Sequence, residues 1–272
     1  MTQLNIDYNT KFKQILEEAY VNPNEEIKRP PVAIYKGYTG GPYSEPIPLC
    51  TYGNFSFIQA PPKSRKTFLV SLLSSVYLAG KNNFGGDIQA NSADKCLIHY
   101  DTEQGTYHAQ KVFNRITRMA NNKGKYLSYA LRKYTAQERL EFIDWHLYNT
   151  DKLGFVVIDG IADLVEDVND IVAASNLVQH LMKWTEELGI HIVTVIHSNF
   201  GSNKPTGHLG SFLEKKCETQ IAMEYDEETN LSIVKCMRSR GVSFDDFSFE
   251  IVKGLPYVTR ELPSEVDGES FF

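Results

Sequence analysis

The sequence contains no pair of cysteines close enough to form a C-x-x-C unit. Its four cysteines, Cys50, Cys96, Cys217 and Cys236, are scattered over 272 residues, which excludes a spacing-defined zinc site and a dense disulfide frame and points to reduced thiols. There is no surplus of positive charge. With 28 basic and 34 acidic residues the net charge is −6, a balance that excludes a broad nucleic-acid-binding surface and leaves room for a local basic patch. No run approaches the roughly 18 apolar residues of a membrane span. The first residues, Met1-Thr-Gln-Leu-Asn-Ile-Asp7, carry neither the basic nor the apolar segment of a secretory signal. Repeats and low-complexity tracts are also missing. What is present, 42% hydrophobic and 23% charged residues, fits a cytoplasmic globular chain with one large core.

Glycine is missing where it would matter most. Residues 55–76 read Phe-Ser-Phe-Ile-Gln-Ala-Pro-Pro-Lys-Ser-Arg-Lys-Thr-Phe-Leu-Val-Ser-Leu-Leu-Ser-Ser-Val. A short apolar strand (55–58) enters a tight loop ending on Lys66-Thr67, and an apolar helix (68–78) follows. Strand, loop, Lys-[Ser/Thr] and helix form the layout of a phosphate-binding loop, where backbone N–H groups and a helix N-terminus attract an anion. On this layout Ala60, Pro61, Pro62, Lys63, Ser64, Arg65, Lys66, Thr67 and Phe68 surround the phosphates. Lys66 reaches the β- and γ-phosphates and Thr67 holds Mg2+ through its hydroxyl. Both glycines of the pattern are replaced, the first by Ala60 and the second by Arg65. Glycine serves there because backbone approaches phosphate closely and adopts dihedrals that a Cβ disfavours. Pro61 and Pro62 remove two more N–H donors. Arg65 has two readings: its guanidinium adds charge to the phosphates, or its side chain fills the pocket. The plain alternative for the stretch is an ordinary strand-loop-helix with a solvated Lys-Ser-Arg-Lys tip.

Around this stretch strands and helices alternate. Residues 8–20 carry Phe12, Ile15, Leu16 and Tyr20 at helical spacing and Pro23-Asn24 ends that helix, so 1–30 reads as an N-terminal helix and linker. Extended pieces are expected at 32–35 and 46–49, with a turn at Gly40-Gly41-Pro42, and 81–93 reads as a polar surface loop. Apolar strands follow at 95–100, 126–131, 153–159 and 191–196. Helices are expected at 106–121, at 135–148 behind the capping box Thr135-Ala-Gln-Glu138, and at 171–188 with Gly189 as its cap. A polar loop, 199–210, leads to a short helix at 212–216. Strands near 219–225, 231–237 and 248–253 complete the pattern, with turns at 227–230 and 238–241. This order predicts an α/β fold: a mainly parallel central sheet flanked by helices, with antiparallel strands at the C-terminal end. One domain is expected over 31–260, followed by a loose polar tail, 261–272.

Ligands of such sheets sit at the C-terminal ends of the strands. Four expected strands end on chemistry there: Asp101 with Glu103, Asp159, His197 with Asn199, and the phosphate loop. Singly, an Asp after a strand is often a turn former and a strand-end His is often only hydrogen-bonded. Together they outline a phosphoryl-transfer site. Thr67 and Asp159 hold Mg2+, Asp159 through water; Glu103 orients and deprotonates the attacking water; His197 senses the γ-phosphate. Arg238 and Arg240 are candidates to reach a neighbouring subunit's phosphates, or else stand in a solvated turn.

The order of these motifs resembles the RecA-like P-loop ATPases of the DnaB, KaiC and RepA group, particularly the single-domain AAA-type ATPases of plasmids and mobile elements, over residues 54–253. The lead-in Tyr52-Gly-Asn-Phe-Ser-Phe-Ile58 and Pro62-Lys-Ser-Arg-Lys-Thr-Phe-Leu69 look like Walker A. Ile98-His-Tyr-Asp-Thr-Glu103 looks like the strand that ends in the catalytic glutamate, Phe155-Val-Val-Ile-Asp159 like Walker B, and Val195-Ile-His-Ser-Asn199 like the sensor strand. His208-Leu-Gly-Ser211 stands where a pore loop enters a short helix, and Arg238-Ser-Arg-Gly241 resembles the Lys/Arg finger pair with Arg in the first place. The resemblance implies ATP and Mg2+ as cofactors, a homo-oligomeric ring with a hexamer as the candidate, sites between subunits, and single-stranded DNA against the loop 201–210, where Lys204 is basic. Asp163, Glu166, Asp167 and Asp170, after Walker B, weigh against DNA there because four acids repel a phosphate backbone. Three functional classes remain open: a helicase- or motor-like ATPase of replication or mobilisation, an ATP-responsive regulatory module with weak or no hydrolysis, and a scaffold that binds no nucleotide.

Overall fold

A computed structural model describes residues 8–199 and 204–259. The chain divides into two units, residues 1–30 and 31–272. In the first, α1 (Tyr8–Glu18) stops before Pro23-Asn24, the break expected from sequence. Its apolar positions Phe12, Ile15 and Leu16 are exposed, as is Tyr20 beyond it.

The second unit runs β1 (Val32–Tyr38), β2 (Pro46–Thr51), β3 (Asn54–Ala60), α2 (Lys66–Ala79), β4 (Ile88–Ala90), β5 (Cys96–Asp101), α3 (Thr106–Met119), β6 (Tyr126–Ala130), α4 (Ala136–Tyr148), β7 (Leu153–Asp159), a 3₁₀ turn (Ile161–Leu164), α5 (Ile171–Leu188), β8 (His191–His197), α6 (Gly207–Lys216), β9 (Thr219–Asp226), β10 (Leu231–Ser239), β11 (Phe247–Val252) and β12 (Leu255–Thr259). Among the described residues nine strands form the main sheet, in the order β12-β11-β10-β9-β3-β8-β7-β5-β6. From β9 to β6 neighbours are parallel, and from β9 to β12 they are antiparallel. This is the mainly parallel sheet with an antiparallel extension that the sequence predicts.

Strands covered on both faces must be largely apolar on both, which is why β5, β7 and β8 read as nearly continuous apolar runs. Alternation still sorts the side chains. Leu97, Phe155, Val157, Val193 and Val195 join the core on the α2–α3 face. Ile98, Tyr100, Val156, Ile158, Ile192 and Ile196 join the core on the α4–α6 face. The helix α2 is buried almost all round, from Leu69 to Leu78, so it requires cover on its far side as well. That cover is a small second sheet, β2-β1-β4, whose Ala33, Ile34, Leu49, Cys50 and Ile88 share a core with Leu72, Leu73 and Val76.

The structure differs from the sequence expectation at several places. Residues 81–93 are not wholly loop: Ile88 is fully buried and pairs with Lys36, which makes β4 a strand of the second sheet. Two large apolar residues, Phe84 and Ile88, in a Gly- and Asn-rich run carry too little periodicity to be read as a strand. The helix α6 starts at Gly207, before the expected 212. Arg238 belongs to β10, and not to the turn after it. The strand β12, absent from the sequence reading, pairs with β11. The tail 261–272 lies outside the described residues. Among the described residues no helix is long and apolar enough to cross a membrane.

Candidate active site

Register brings the strand ends into one line. Ala60 at the end of β3 is level with His197 at the end of β8. Asp159 at the end of β7 is level with Asp101 at the end of β5 and with Val195 of β8. Ser198 N–H donates to the Ala60 carbonyl at 3.1 Å, which ties the sensor strand to the start of the phosphate loop.

Within that loop Lys63 and Arg65 take the left-handed conformation, φ +65° and +68°. Glycine is therefore replaced by a side chain at a place where backbone needs a positive φ, at a cost of about 1–2 kcal/mol per residue. The first glycine position differs: Ala60 is the buried last residue of β3 with ordinary φ, and a methyl group suffices there. Ser64 Oγ donates to the Pro61 carbonyl at 2.7 Å. Pro61, Pro62 and Lys63 are exposed, while Thr67 and Phe68 are half-buried in the first turn of α2.

Three sequence-predicted residues form a chain. Lys66 Nζ donates to the Pro61 carbonyl at 3.3 Å and to His197 Nδ1 at 3.1 Å. His197 Nε2 is 3.2 Å from Glu103 Oε1. An ammonium only donates, so Nδ1 accepts and Nε2–H donates to the carboxylate. Burial lowers the Lys66 pKa, against the pull of Glu103 and Asp159. The His197 hydrogen bond holds the Glu103 carboxyl below its usual range, although burial opposes it.

Asp159 is buried, and its Oδ2 has no hydrogen-bond partner. Burial, then the negative charges of Asp101 and Glu103, push its carboxyl up to about 7, and the cations of Lys66 and Arg115 offset only part of this. Asp101, fully buried, turns the chain after β5: its Oδ1 accepts from Glu103 N–H at 3.2 Å and Gln104 N–H at 2.8 Å. That turn aims Glu103 across the cleft.

Other residues of the site carry no sequence motif. Arg115 of α3 places its guanidinium carbon 3.9 Å from the Phe68 ring centroid, and its Nε donates to Ser71 Oγ at 3.0 Å. Ser71 Oγ in turn donates to the Thr67 carbonyl at 2.7 Å. Thr102 Oγ1 lies 2.9 Å from the Gly160 carbonyl and 2.8 Å from Asp163 Oδ2. Gly160 has φ +109°, and a Cβ there would meet Glu103 Cγ and Thr102 Oγ1 at 2.8 Å. The one sequence signal for it is a glycine directly after a strand-end Asp. Gly160→Ala is expected to lower stability by on the order of 2–4 kcal/mol, from steric overlap and backbone strain together. Denaturant unfolding checks this, and a change within about 0.5 kcal/mol would contradict the crowding.

Two groups of predicted residues stand apart from this cluster. Because β9 runs parallel to β3, its first residues lie at the opposite edge of the sheet, and so does the end of β10. Arg238 is there, level with Gln220. Arg240 donates from Nη2 to the Lys216 carbonyl at 2.6 Å. Within one chain neither arginine joins the phosphate-loop edge. The loop after β8 begins at His197, whose carbonyl accepts from Thr206 N–H at 3.1 Å, and closes through Asn199 N–H to the Lys204 carbonyl at 2.8 Å. Residues 200–203 lie outside the described residues, Lys204 is exposed, and His208 and Ser211 are part of α6. Three of the four acids of 163–170 have local work: Asp170 Oδ1 caps α5 through Val172 and Ala173 N–H, Asp167 Oδ1 accepts from Asn169 N–H, and Asp163 meets Thr102.

Comparison with known proteins agrees with this arrangement. No curated protein sequence matches the chain. The fold is similar to the crystal structure of the RadB recombinase, with a TM-score of 0.52 and 16% identity over 76% of this chain and 90% of that one. It is also similar to the ATPase domain of G40P, with a TM-score of 0.55 and 14% identity over 75% of this chain and 84% of that one. The AAA domain profile matches residues 47–203, more than half of the chain, including the phosphate loop, Glu103, Asp159 and His197. The chain therefore belongs to the AAA domain family and has the fold of a RecA-like P-loop ATPase.

Proposed function

We propose that the protein binds Mg-ATP on the loop Ala60–Phe68 and hydrolyses it, as a ring-forming, helicase- or motor-like ATPase serving replication or mobilisation of a plasmid or mobile element. The observation that carries the nucleotide site is the Lys66–His197–Glu103 chain beside a buried carboxylate oxygen of Asp159 that has no partner.

The residues fit the metal as well. Among the described residues no three His, Cys, Asp or Glu side chains form a metal cage. Mg2+ needs no such cage, since it keeps waters and is held by one or two protein ligands together with substrate phosphates. Thr67 would bind the ion directly and Asp159 through water, and the ion would neutralise charge on the phosphates. Lys66 turns from His197 Nδ1 to the phosphates, and the α2 N-terminus adds its N–H groups. His197, released by Lys66, is then placed to respond to the terminal phosphate. Glu103 accepts a proton from the attacking water. In the ligand-free arrangement its hydrogen bond to His197 holds it in the less basic state, so nucleotide binding and activation of the base are linked through one imidazole.

Arg238 and Arg240, at the opposite edge of the sheet, would meet phosphates only in a neighbouring copy, which is the reason to propose a ring. Single-stranded DNA against the loop around Lys204 is part of the same proposal. The second reading, an ATP-responsive module with slow or no turnover, is supported by the two exposed prolines, which contribute no N–H to the phosphates.

Mg-ATP at a hundred-fold excess over its Kd is expected to stabilise the native chain by about 2.7 kcal/mol, read as a rise in melting temperature. No rise at millimolar ATP would leave only a scaffold. ATPase rate with and without single-stranded DNA separates the other two readings: stimulation supports the motor, and tight binding without turnover supports the module.

A further inference from the structure

We infer that Arg65 is a positioning residue that straps the phosphate loop to the turn between β9 and β10, and so holds by a side chain the conformation that glycine gives freely. Only the nucleotide readouts of this inference rest on the ATP reading above. The second glycine position has φ +68°, and a non-glycine residue persists there only when its surroundings over-determine it. The Arg65 carbonyl also opens α2, accepting from Phe68 N–H at 2.9 Å, so the residue is fixed on its C-terminal side by the helix. On the other side both terminal nitrogens and the face of the guanidinium are engaged. Nη1 donates to the Asn230 carbonyl at 3.0 Å, Nη2 donates to Asn230 Oδ1 at 2.5 Å, and the guanidinium carbon lies 4.1 Å from the Tyr225 ring centroid. Tyr225 completes the clamp by donating from its hydroxyl to Asn230 Oδ1 at 3.0 Å. A planar fork that is stacked and bidentate at once is a geometry only arginine provides.

The receiving turn is itself ordered. Asp226 Oδ1 accepts from Glu228 N–H at 2.9 Å, and Thr229 Oγ1 donates to Asp226 Oδ2 at 2.7 Å. Asn230 has φ +57°. In the ligand-free chain the Arg65 guanidinium faces the hairpin. The turn 226–230, far away in sequence, becomes part of the nucleotide site.

The test uses the full chain with Tyr225→Leu, and with Asn230→Gly, which keeps the positive φ and removes Oδ1. In the ligand-free protein the amides of residues 63–67 are expected to exchange about ten-fold faster in both variants. Mg-ATP Kd is expected to weaken about ten-fold through lost preorganisation, with kcat at saturation within about two-fold of wild type. Arg65→Ala should speed loop exchange and weaken Mg-ATP binding to the same extent, and combining it with Tyr225→Leu should add nothing to either, because both break one clamp. Arg65→Gly should fall between wild type and Arg65→Ala, since glycine recovers the φ without the strap. Unchanged loop exchange in both hairpin variants, or additive effects in the double variant, would overturn the inference. If wild type does not bind Mg-ATP the functional reading fails, and the exchange measurement still decides the strap.

Discussion

Glu103→Gln is expected to lower ATP turnover by about 10²- to 10⁴-fold, the usual contribution of a general base, while nucleotide binding survives. The amide oxygen can still accept from His197 Nε2–H, the side-chain hydrogen-bond partner of Glu103. The substitution therefore removes basicity and leaves the shape. Lys66→Ala acts differently. It removes a cation that acts on both Asp159 and Glu103 and empties a site in the proposed phosphate loop, so both binding and turnover should fail. Single-turnover hydrolysis and equilibrium binding, measured side by side, separate the two variants. Turnover at the wild-type rate in both would sink the ATPase proposal.

Asp159→Asn is expected to stabilise the ligand-free protein at alkaline pH and to abolish Mg2+-dependent nucleotide binding. The Asp159 carboxyl is raised from 3.8 to about 7. Between those values the native state holds a proton that the unfolded chain has released, so stability falls as pH rises through this window. Above about 7 the folded protein carries a buried anion whose Oδ2 has no partner. Asparagine carries no such charge. Its advantage over wild type should grow by on the order of 2 kcal/mol between about pH 5.5 and about pH 8, measured by denaturant unfolding at each pH. A variant less stable than wild type at about pH 8 would show that the carboxylate is compensated in the native state. The pairing of gained stability with lost function is what a site built for a cation predicts.

Much of this molecule is legible along the chain. Nearly continuous apolar runs at 153–159 and 191–196 are strands because both faces of the sheet are covered, and local composition records that burial. The capping box at Thr135 and Glu138 forms as read, with both reciprocal hydrogen bonds present. The strand-end positions of Asp101, Asp159 and His197 follow from where each apolar run stops, and the parallel topology then places them on one edge.

What the sequence left undecided depends on contacts between distant segments. The direction of β9 relative to β3 sends Arg238 and Arg240 to the far edge, and no local pattern encodes that pairing. The second sheet exists because α2 is apolar on every side and needs a cover, which Ile88 helps to supply from an otherwise polar stretch. Arg115 and Gly160 matter through what they touch, Phe68 in one case and the space beside Glu103 in the other.

The replaced glycines divide along the same line. That the loop has the layout of a phosphate-binding loop was determined by the sequence itself: a strand, a Lys-Thr pair and a helix N-terminus stand there in that order. Whether the replacements damage the loop was decided only by tertiary structure. Ala60 needs no positive φ, so its Cβ brings no backbone strain. Arg65 needs one, and a hairpin turn 165 positions away holds its guanidinium, because backbone strain in one segment can be offset only by contacts that folding brings to it.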